Sequence, residues 1–567
     1  MSEYRRIVLV GLSGSGKSTV AALMADALGW RAVDTDVLLE RRAGKPIPRV
    51  FAEDGEPTFR ALEGAVLADA CREDQAVIAT GGGVVTVEAN WPMMRRAALV
   101  VHLDASPETL LARLEEHARS AGDDVAARPL LAGADPAEAL RAMTIRRAPS
   151  YAQADVSLHT EWRTPTEIAR LLAALVRGEP VALWEDRFAT ASHDSYLAVG
   201  YGLLAALPQR IAARWPGGLS GVVLITDERV DAVLGDLVRA LLREAGLSLK
   251  ATLAVPTGET SKSLARAAEL YTALAAAGVD RKTAIIALGG GVVGDLAGYV
   301  AATYLRGLPL VQVPTTLLSM VDSSVGGKTA VDLPAGKNLV GAFYQPHLVL
   351  VDPACLRALP PREFRSGWAE IIKHAFVEGG VPGVRAPTLL LTLRDRADLL
   401  VAGAPLPLTS VIARNLALKL AVVRADEREE TGLRAMLNTG HTAGHAIEAA
   451  ALAGTAPGAT APMLHGEAVA LGLQAEAAMA ATLDRCAAGL PAAYGALLDA
   501  YGLPRRAADL GLSLDLDRIV PYIARDKKTV GGTTTWLLPE GSADDARVAP
   551  CHYVPLAVAR AAIADVL

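Results

Sequence analysis

Nine residues near the start of the sequence, Gly11 to Thr19, have the composition of a loop that holds phosphate groups. Their letters, GLSGSGKST, fit the pattern GxxxxGK[ST], and they lie between a predicted strand, Arg6 to Val10, and a predicted helix, Val20 to Leu28. In that context backbone N–H groups at the start of the helix surround the phosphates, while Lys17 bridges them and Ser18 holds Mg²⁺. The motif predicts a nucleotide site.

Two further polar groups follow predicted strands in the same section. Asp34 and Asp36 follow the short strand Arg31 to Val33, and such a pair can place one carboxylate on Mg²⁺ and the other on a substrate hydroxyl. Solvated surface charges explain the same spacing equally well. Gly81 to Gly83 follow the strand Val77 to Thr80, where the absence of Cβ atoms lets a ligand lie against backbone, although a tight turn has the same composition.

Glycines and threonines at other strand ends predict a second nucleotide site. Leu288 to Gly291 ends a predicted strand and is followed by a helix that begins near Val292, although the spacing is not GxGxxG. Pro256 to Lys262 and Pro314 to Thr316 follow two further strands. Because the ends of parallel strands meet at one edge of a sheet, we expect these segments to surround one nucleotide.

A polar, glycine-rich stretch from Met320 to Asn338 contains Lys328 and Lys337. The chain has 11 lysines against 45 arginines, so two lysines in one stretch indicate a site for an anionic substrate that carries phosphate or carboxylate. An exposed, flexible loop is the alternative.

Histidines with metal-ligand spacing form another candidate group. His441 and His445 are four residues apart on one predicted helix face, His465 follows in LHGEAV, and Glu370 and His374 share a face in WAEIIKHA. One carboxylate with two imidazoles leaves zinc an open position for substrate. The remaining histidines would then orient ligands or bind substrate, whereas histidines satisfied within a protein core are the ordinary alternative.

Composition limits the class of protein that carries these residues. The chain has 567 residues, of which 51% are hydrophobic and 21% charged, which is typical of a folded protein of three or four domains. The net charge of −6 excludes the basic excess of nucleic-acid-binding proteins. Its four cysteines are far apart and predict neither disulfides nor a thiolate zinc site. The apolar run Ile7 to Val10 is too short for a signal peptide, and no stretch approaches the roughly 18 apolar residues of a membrane helix. We therefore expect a cytoplasmic protein with no membrane or nucleic-acid partner.

Hydrophobic patterning divides the chain into three sections. Residues 1–176 alternate short apolar strands with longer helices, which is typical of a parallel α/β sheet. Gly178 and Pro180 predict a linker at 177–190. Residues 191–358 form a second α/β section, and strand signals nearly vanish in residues 359–567, which predicts a mostly helical unit. The predicted fold class is therefore α/β, with the two sheets followed by a helical, metal-binding domain.

The first section resembles shikimate kinase over nearly all of residues 5–175. GLSGSGKST, DTD, FxxxGExxFRxxE, VIATGGG, VVHLDASPETLLARL, RPLL and RxPxY occur in the family's order. The resemblance implies a P-loop kinase that transfers phosphate from ATP to shikimate, with Mg²⁺ as its metal. The segment His117 to Val125 departs from the family because it is acidic, where a mobile lid with a dense basic pattern is expected.

Residue roles follow from this resemblance. The implied ATP and Mg²⁺ contacts are Gly14, Ser15, Gly16, Lys17, Ser18, Thr19, Asp34 and Arg128. The implied shikimate contacts are Asp36, Arg60, Gly81, Gly82, Gly83 and Arg147. Asp36 would orient or deprotonate the attacking hydroxyl, and Arg128 would neutralise the transferring phosphoryl group.

Residues from about 195 to 545 resemble 3-dehydroquinate synthase. LGGGVVGDLAGYVAATYLRG, VPTTLLSMVDSSVGGKTAVD, GKNLVGAFYQP, LPPREFRSGWAEIIKHA, LRAMLNTGHTAGHAIE and HGEAVALG occur in the family's order. The resemblance implies NAD and Zn²⁺ (or Co²⁺) as cofactors, 3-deoxy-D-arabino-heptulosonate 7-phosphate as substrate, and a homodimer formed through this part. It places an NAD-binding domain at 191–358 and a metal- and substrate-binding domain at 359–567.

This second resemblance also implies residue roles. The implied metal ligands are Glu370, His441 and His465. The implied NAD contacts are Glu259, Lys262, Gly291, Val292, Val293, Gly294, Asp295, Thr315, Thr316, Lys328, Lys337, Cys355, Leu356, Arg357 and Ala358. Asp322 and Lys328 would lie between cofactor and substrate, and the implied substrate contacts are Arg306, Asn338, Lys373, Lys419, Arg434, Asn438, His445 and one of Lys527 and Lys528. Either Glu429 or Glu430 could carry a family role, and the position of a gap in DEREETGLR also affects the match of Lys419.

Three hypotheses follow. The leading one is a fused bifunctional enzyme of aromatic biosynthesis. A zinc or iron alcohol dehydrogenase, such as glycerol dehydrogenase, shares the GGGxxxD turn but would not need so many lysines. A nucleotide-sensing or scaffolding protein would bind ATP without turnover, which leaves the DTD, Arg60 and GGG residues unexplained.

Overall fold

The protein is described by a computed structural model, which covers residues 4–96, 98–121, 135–189, 194–334, 336–384, 387–427, 429, 431–453, 462–523, 529–530, 533–543 and 545–567. The chain divides into two compact units, Met1–Leu183 and Trp184–Leu567. The predicted α/β fold class is confirmed in both units.

A five-stranded sheet forms the centre of the first unit. All its strands run parallel, in the order β2-β3-β1-β4-β5. The strands are β1 (Arg6–Val10), β2 (Arg31–Asp34), β3 (Ala76–Ala79), β4 (Ala98–Asp104) and β5 (Val156–His159). Ile7 to Val10 are fully buried because helices cover both faces of a parallel sheet, which explains the continuous apolar run of this strand.

Seven helices accompany this sheet in the part of the first unit that the structure describes. They are α1 (Lys17–Leu28), α2 (Thr35–Ala43), α3 (Ile47–Ala70), α4 (Asn90–Arg95), α5 (Pro107–Ala121), α6 (Pro136–Tyr151) and α7 (Pro165–Arg177). Helix α7 begins with a capping box between Thr164 and Glu167 and ends at Gly178, whose φ is 73°. The predicted glycine stop is therefore present.

A seven-stranded sheet forms the centre of the second unit, in the order β6-β7-β14-β11-β10-β8-β9. Its strands are β6 (Trp184–Ala189), β7 (Asp194–Val199), β8 (Gly221–Asp227), β9 (Leu249–Val255), β10 (Thr283–Gly289), β11 (Leu310–Pro314) and β14 (Leu348–Val351). All neighbours pair in parallel except β6, which runs antiparallel to β7. The prediction that 177–190 is entirely a linker needs correction, because Trp184–Ala189 is an edge strand of this sheet.

Helices dominate the rest of the second unit. They are α8 (Leu207–Arg214), α9 (Glu228–Val230), α10 (Asp236–Glu244), α11 (Leu264–Ala276), α12 (Gly291–Thr303), α13 (Pro361–Val377), α14 (Leu389–Asp395), α15 (Ala397–Val401), α16 (Pro405–Ala425), α17 (His441–Leu452), α18 (His465–Thr482), α19 (Leu490–Ala500), α20 (Leu516–Ile523) and α21 (Leu556–Ala564). In the described residues, α16 alone is long and apolar enough to cross a membrane, and 78% of its apolar window is buried inside the protein. Burial of this helix within the helical part accounts for its composition.

Three antiparallel hairpins complete the second unit. They are β12 (Lys328–Leu333) with β13 (Gly336–Phe343), β15 (Thr529–Val530) with β16 (Thr533–Thr534), and β17 (Trp536–Glu540) with β18 (Arg547–Cys551). The stretch Met320 to Asn338 is therefore not simply a flexible loop. The section from 359 to 567 is mostly helical, as predicted, and also contains the hairpins of β15 with β16 and β17 with β18.

Candidate active sites

The glycine-rich loop of the first unit joins β1 to α1. Gly16 caps the helix with a φ of 91°, a backbone conformation that favours glycine. Lys17 is 9% exposed, and its Nζ donates hydrogen bonds to the carbonyl oxygens of Gly11 at 2.8 Å and Leu12 at 3.0 Å. The buried ammonium therefore lies within the loop that we predicted to hold phosphates.

Ser18 and Asp34 lie side by side at the predicted magnesium position. The Ser18 hydroxyl donates a 2.6 Å hydrogen bond to Oδ2 of Asp34. The other carboxylate oxygen of Asp34 accepts hydrogen bonds from the backbone N–H groups of Asp36 at 3.0 Å and Val37 at 3.3 Å, which caps α2. The start of α2 thus orients a carboxylate and a hydroxyl that can both bind Mg²⁺ directly or through water.

Asp36 lies in the first turn of α2, beside the glycine turn that follows β3. Burial, and then the negative charge of Asp34, raise the pKa of its carboxyl to about 6, and Lys17 opposes the shift. A Cβ atom on Gly81 would lie 2.7 Å from Oδ1 of Asp36 and 2.9 Å from Oε1 of Glu63. The two carboxylates therefore occupy the space that a Cβ atom at residue 81 would fill.

Two arginines from different helices flank the same turn. Arg60 of α3 donates a 2.7 Å hydrogen bond from Nη1 to Oε2 of Glu63. Arg147 of α6 donates a 2.7 Å hydrogen bond to the carbonyl oxygen of Gly82, and its side chain is buried. A Cβ atom on Gly83 would meet the guanidinium of Arg60. The structure therefore places the predicted shikimate contacts, two arginines among them, around one turn.

The remaining predicted residues of this site are placed as follows. Ser15 is buried and Thr19 is exposed, and a Cβ atom on Gly14 would lie 2.9 Å from the carbonyl oxygen of Leu110 in α5. Arg128, with the rest of the RPLL segment, lies outside the described residues. Sequence reasoning assigned no role to Glu63, although FxxxGExxFRxxE places it three residues after Arg60 on one helix face.

Small residues surround the start of α12 in the second unit. Gly291 begins this helix, so Val292 and Val293 lie in its first turn. A Cβ atom on Gly290 would lie 2.7 Å from Cγ2 of Thr316, and one on Gly291 would lie 3.2 Å from Oγ of Ser323. The side chains of Thr316 and Ser323 therefore pack close to the glycine backbone at the helix N-terminus, where a phosphate can bind N–H groups.

Two polar strand ends meet this glycine turn. The backbone N–H of Thr315 donates to the carbonyl of Gly289 at 2.9 Å, and the buried Thr315 hydroxyl has no hydrogen-bond partner among the described residues. Lys262 Nζ donates to Oδ2 of Asp295 at 2.5 Å and also to Asn338. The carboxyl of Glu259 is buried, which raises its pKa. The predicted NAD-binding segments thus converge at one edge of the sheet.

Asp322 and Lys419 connect this edge to the helical part. Nζ of Lys419 donates a 2.7 Å hydrogen bond to Oδ1 of Asp322. This contact places Lys419 beside another predicted site residue, wherever the gap in DEREETGLR lies. Lys328 forms an ion pair with Glu429, and Glu430 lies outside the described residues. Arg434 is buried, with Nη1 donating to the carbonyl oxygen of Glu427 at 2.6 Å.

Glu370 lies at the centre of the predicted metal site, in the buried middle of α13. Its Oε1 lies 3.4 Å from Nε2 of His441 and 3.5 Å from Nε2 of His465, and Lys373 pairs with Oε2. Neither carboxylate oxygen accepts a well-formed hydrogen bond from the described residues. The structure therefore brings together all three predicted ligands, from α13, α17 and α18.

Hydrogen bonds on the far side of each imidazole determine which nitrogen faces Glu370. Nδ1 of His441 lies 3.1 Å from the carbonyl oxygen of Thr439, and Nδ1 of His465 lies 3.2 Å from Oε2 of Glu448. Since both partners are acceptors, each neutral ring carries its proton on Nδ1 and leaves the Nε2 lone pair available. Three electron-pair donors that face one another are suited to a shared divalent cation.

His445 lies near His441 and His465, whereas His374 lies near Glu370 and Asp322. The ring of His445 lies 5.1 Å from that of His441 and 5.7 Å from that of His465, between centroids, and it is exposed. His374 is buried and contacts Oδ1 of Asn415. Sequence reasoning missed Asn415, and no spacing rule in the sequence connects it with His374.

For some predicted site residues, the described contacts include none with the predicted metal ligands Glu370, His441 and His465. Arg306 is exposed, with a φ of 64°, and Asn438 is the last residue of a short 3₁₀ helix, Leu433–Asn438. The turn from Cys355 to Ala358 belongs to another 3₁₀ helix, and burial raises the pKa of the Cys355 thiol. Lys527 and Lys528 lie outside the described residues.

Comparison with known families matches three parts of the chain. Residues 13–176 match the shikimate kinase family, residues 252–366 the N-terminal domain of 3-dehydroquinate synthase, and residues 367–529 its C-terminal domain. The 3-dehydroquinate synthase of Symbiobacterium thermophilum is 45% identical over 342 residues, which are 60% of this chain and 90% of that protein. That of Pelobacter propionicus is 46% identical over 353 residues, 62% of this chain and 92% of that protein.

A solved structure agrees with this result. A 2-deoxy-scyllo-inosose synthase complexed with carbaglucose-6-phosphate, NAD⁺ and Co²⁺ is 26% identical, with a TM-score of 0.57, over 68% of this chain and 100% of its own. These matches cover the two units separately. The chain therefore belongs to the 3-dehydroquinate synthase family and carries a shikimate kinase domain before it, so that it is a bifunctional enzyme of the shikimate pathway.

Proposed function

We propose that each activity uses the residues of one unit. The first unit phosphorylates shikimate with ATP, and the second converts 3-deoxy-D-arabino-heptulosonate 7-phosphate to 3-dehydroquinate and phosphate. The observation that carries this assignment is the convergence of Glu370, His441 and His465, since a carboxylate and two imidazoles that face one another are suited to bind a divalent cation together.

In the kinase reaction, Lys17 and the loop N–H groups bind the ATP phosphates, while Ser18 and Asp34 hold Mg²⁺. Arg60 and Arg147 bind the shikimate carboxylate beside Gly81 to Gly83. Asp36 accepts the proton of the attacking hydroxyl, for which a pKa of about 6 is suitable, because the group is ionised at neutral pH and basic enough to take a proton. Arg128 compensates the charge of the phosphoryl group in transfer.

In the synthase, Zn²⁺ or Co²⁺ fits Glu370, His441 and His465. NAD⁺ fits the N-terminus of α12, where the helix presents backbone N–H groups and the buried Thr315 hydroxyl has no hydrogen-bond partner among the described residues. When bound, NAD⁺ accepts and later returns a hydride, and the metal polarises the hydroxyl that is oxidised.

The side chains around these groups bind and orient the substrate. Lys373, Lys419 and Arg434 supply positive charge for its carboxylate and phosphate, and Asn338, Asn438 and His445 supply hydrogen bonds. Asp322 is positioned between Lys419 and the metal ligands, where its carboxylate orients both the substrate and the ammonium group. Arg306 and one of Lys527 and Lys528 complete the set of substrate cations.

We also propose that the synthase part forms a homodimer and that the enzyme acts in the cytoplasm.

The test of function is one purified chain assayed twice, for shikimate-dependent ADP formation and for phosphate release from the heptulosonate phosphate. Absence of either activity in the presence of NAD⁺, Mg²⁺ and Zn²⁺ would contradict the corresponding assignment. Accumulation of NADH in proportion to product would favour the dehydrogenase alternative.

A further inference from the structure

Glu448 connects the two cofactor regions of the synthase. It lies on α17, seven residues and therefore two helical turns after His441, and it is 8% exposed. Its Oε2 accepts the Nδ1 proton of His465 at 3.2 Å, and its Oε1 accepts a hydrogen bond from Nζ of Lys337 at 2.9 Å. One buried carboxylate thus contacts a predicted metal ligand and a predicted NAD contact.

The two partners come from elements distant in sequence. Lys337 belongs to strand β13 of the hairpin beside the NAD region, and His465 begins α18. The side chain of Lys337 is 47% exposed, so its ammonium retains donors that can reach a ligand while it contacts Glu448. His465 uses Nδ1 for Glu448, which leaves Nε2 for a metal ion.

We propose that Glu448 is a positioning residue that couples metal binding to NAD⁺ binding. This inference rests on the proposed metal and NAD⁺ sites. The carboxylate fixes the tautomer and direction of His465 and strengthens its Nε2 as a ligand. When the NAD⁺ pyrophosphate shares the charge of Lys337, Glu448 becomes a stronger acceptor for His465, so each cofactor raises the affinity of the other by the same factor.

The alternatives at Glu448 differ in what they predict. A carboxylate with a purely structural role would stabilise the fold through its ion pair with Lys337 and leave cofactor affinities unchanged. A positioning role predicts lower metal affinity without global unfolding. Substitution of Glu448 by glutamine distinguishes these two roles. The side chain keeps its size, but its amide N–H₂ must face a donor, either Nδ1 of His465 or Nζ of Lys337.

The experiment measures Zn²⁺ affinity by chelator competition on the full apo chain, with and without saturating NAD⁺. For Glu448→Gln we expect Zn²⁺ affinity to fall about 10- to 100-fold, while kinase activity stays at the parent value. In the parent, NAD⁺ should tighten Zn²⁺ binding about fivefold or more, the lower end of ordinary coupling. Lys337→Met should bind Zn²⁺ at least as tightly as the parent in the absence of NAD⁺, because Glu448 then accepts from His465 alone, and NAD⁺ should no longer enhance its Zn²⁺ binding.

Glu378→Gln is the matched control. Glu378 is also a buried carboxylate in an ion pair, with Arg414, and it is 2% exposed. Its substitution should lower thermal stability without changing Zn²⁺ affinity. If Glu448→Gln binds Zn²⁺ within twofold of the parent, or if NAD⁺ enhances binding equally in all variants, the inference is wrong. A parent chain that binds neither Zn²⁺ nor NAD⁺ would instead contradict the proposed function.

Discussion

Nζ of Lys419 lies 2.7 Å from Oδ1 of Asp322, and this pair joins helix α16 to the short π-helix Ser319–Ser323 that follows strand β11. Burial lowers the pKa of Lys419 to about 8, and the Asp322 carboxylate opposes the shift. Although burial would raise it, the pKa of Asp322 is held well below its ordinary value by Lys419 and Lys373. Each charge therefore depends on the other to remain ionised in this setting.

Substitution of Lys419 by methionine should leave Asp322 without its ammonium partner. We expect the free energy of unfolding of the second unit to fall by about 1–3 kcal/mol and synthase activity to be lost, with kinase activity retained. Urea unfolding measures the free energy of unfolding, and separate assays on the folded chain measure synthase and kinase activity. Lys250→Met, which removes a more exposed ion pair with Asp280, should change stability by less than about 1 kcal/mol. Equal effects of the two substitutions would contradict the importance of the buried pair.

Substitution of Lys17 by methionine should abolish shikimate-dependent ADP formation and leave synthase activity intact, because the Lys17 ammonium lies within the phosphate loop of the first unit. Steady-state kinetics of both reactions on one preparation provide the measurement. Lys45→Met is the control, since Lys45 pairs with Glu53 and Asp54 away from the loop and should retain normal turnover. Kinase activity near the parent rate in Lys17→Met would eliminate the assignment.

The raised pKa of Asp36 predicts a pH dependence. Between the ordinary aspartate pKa and about 6, the folded chain holds a proton on Asp36 that the unfolded chain has released. Stability from this group is therefore present at low pH and declines as pH rises through about 6. Asp36→Asn should increase the free energy of unfolding of the first unit at pH 8 by on the order of 1–3 kcal/mol and by much less at pH 4.

Kinase turnover should respond in the opposite direction. The kcat/KM of the parent should rise with pH through about 6 as Asp36 ionises, and Asp36→Asn should lose turnover at every pH. A flat profile of kcat/KM between pH 5 and 8 would show that Asp36 is not the base. An asparagine variant less stable than the parent at pH 8 would show that burial of the Asp36 charge does not destabilise the fold.

Substitution of His441 by alanine should lower both bound zinc and synthase activity, because it removes one of the three proposed metal ligands, the others being Glu370 and His465. Metal content after gel filtration and phosphate release are the two measurements. The exposed His552 provides a control that should change neither. Full zinc content in His441→Ala would mean that other residues bind the metal. In the parent, synthase activity should require NAD⁺ without accumulation of NADH.

Sequence patterns predicted the buried strands well and the edge strands poorly. Continuous apolar runs such as Arg6–Val10 and Thr283–Gly289 are buried on both faces, so their composition alone identifies them. Strand β6, Trp184–Ala189, carries three charged residues because it is an edge strand, and it resembled a linker. The hairpin of β12 and β13 is polar and rich in glycine, which is the composition of a loop.

Residues of the sites were predictable where spacing or a family motif identified them. His441, His445 and Glu448 follow the spacing i, i+4, i+7 of one helix face, so periodicity could have identified Glu448. Asn415 is different, because its partner His374 is 41 residues away in sequence. The family motifs implied Asp322 and Lys419 separately, but not their contact, which spans 97 residues. Only the tertiary fold brings such pairs together.

The two units should fold and work when separated. Each has its own parallel sheet and its own hydrophobic clusters, around Val8 and Ile78 in one and around Ile285 and Leu296 in the other. Helix α7 ends at Arg177, and strand β6 begins at Trp184, so a cut after Pro180 interrupts no helix or strand.

The synthase product is not the kinase substrate, so direct transfer between the two sites has no chemical purpose. Pieces 1–180 and 181–567, expressed separately, should therefore keep both kcat values within a few-fold of the intact chain. Loss of about tenfold or more that mixing restores would indicate an interface worth at least about 1.4 kcal/mol and would contradict independent units.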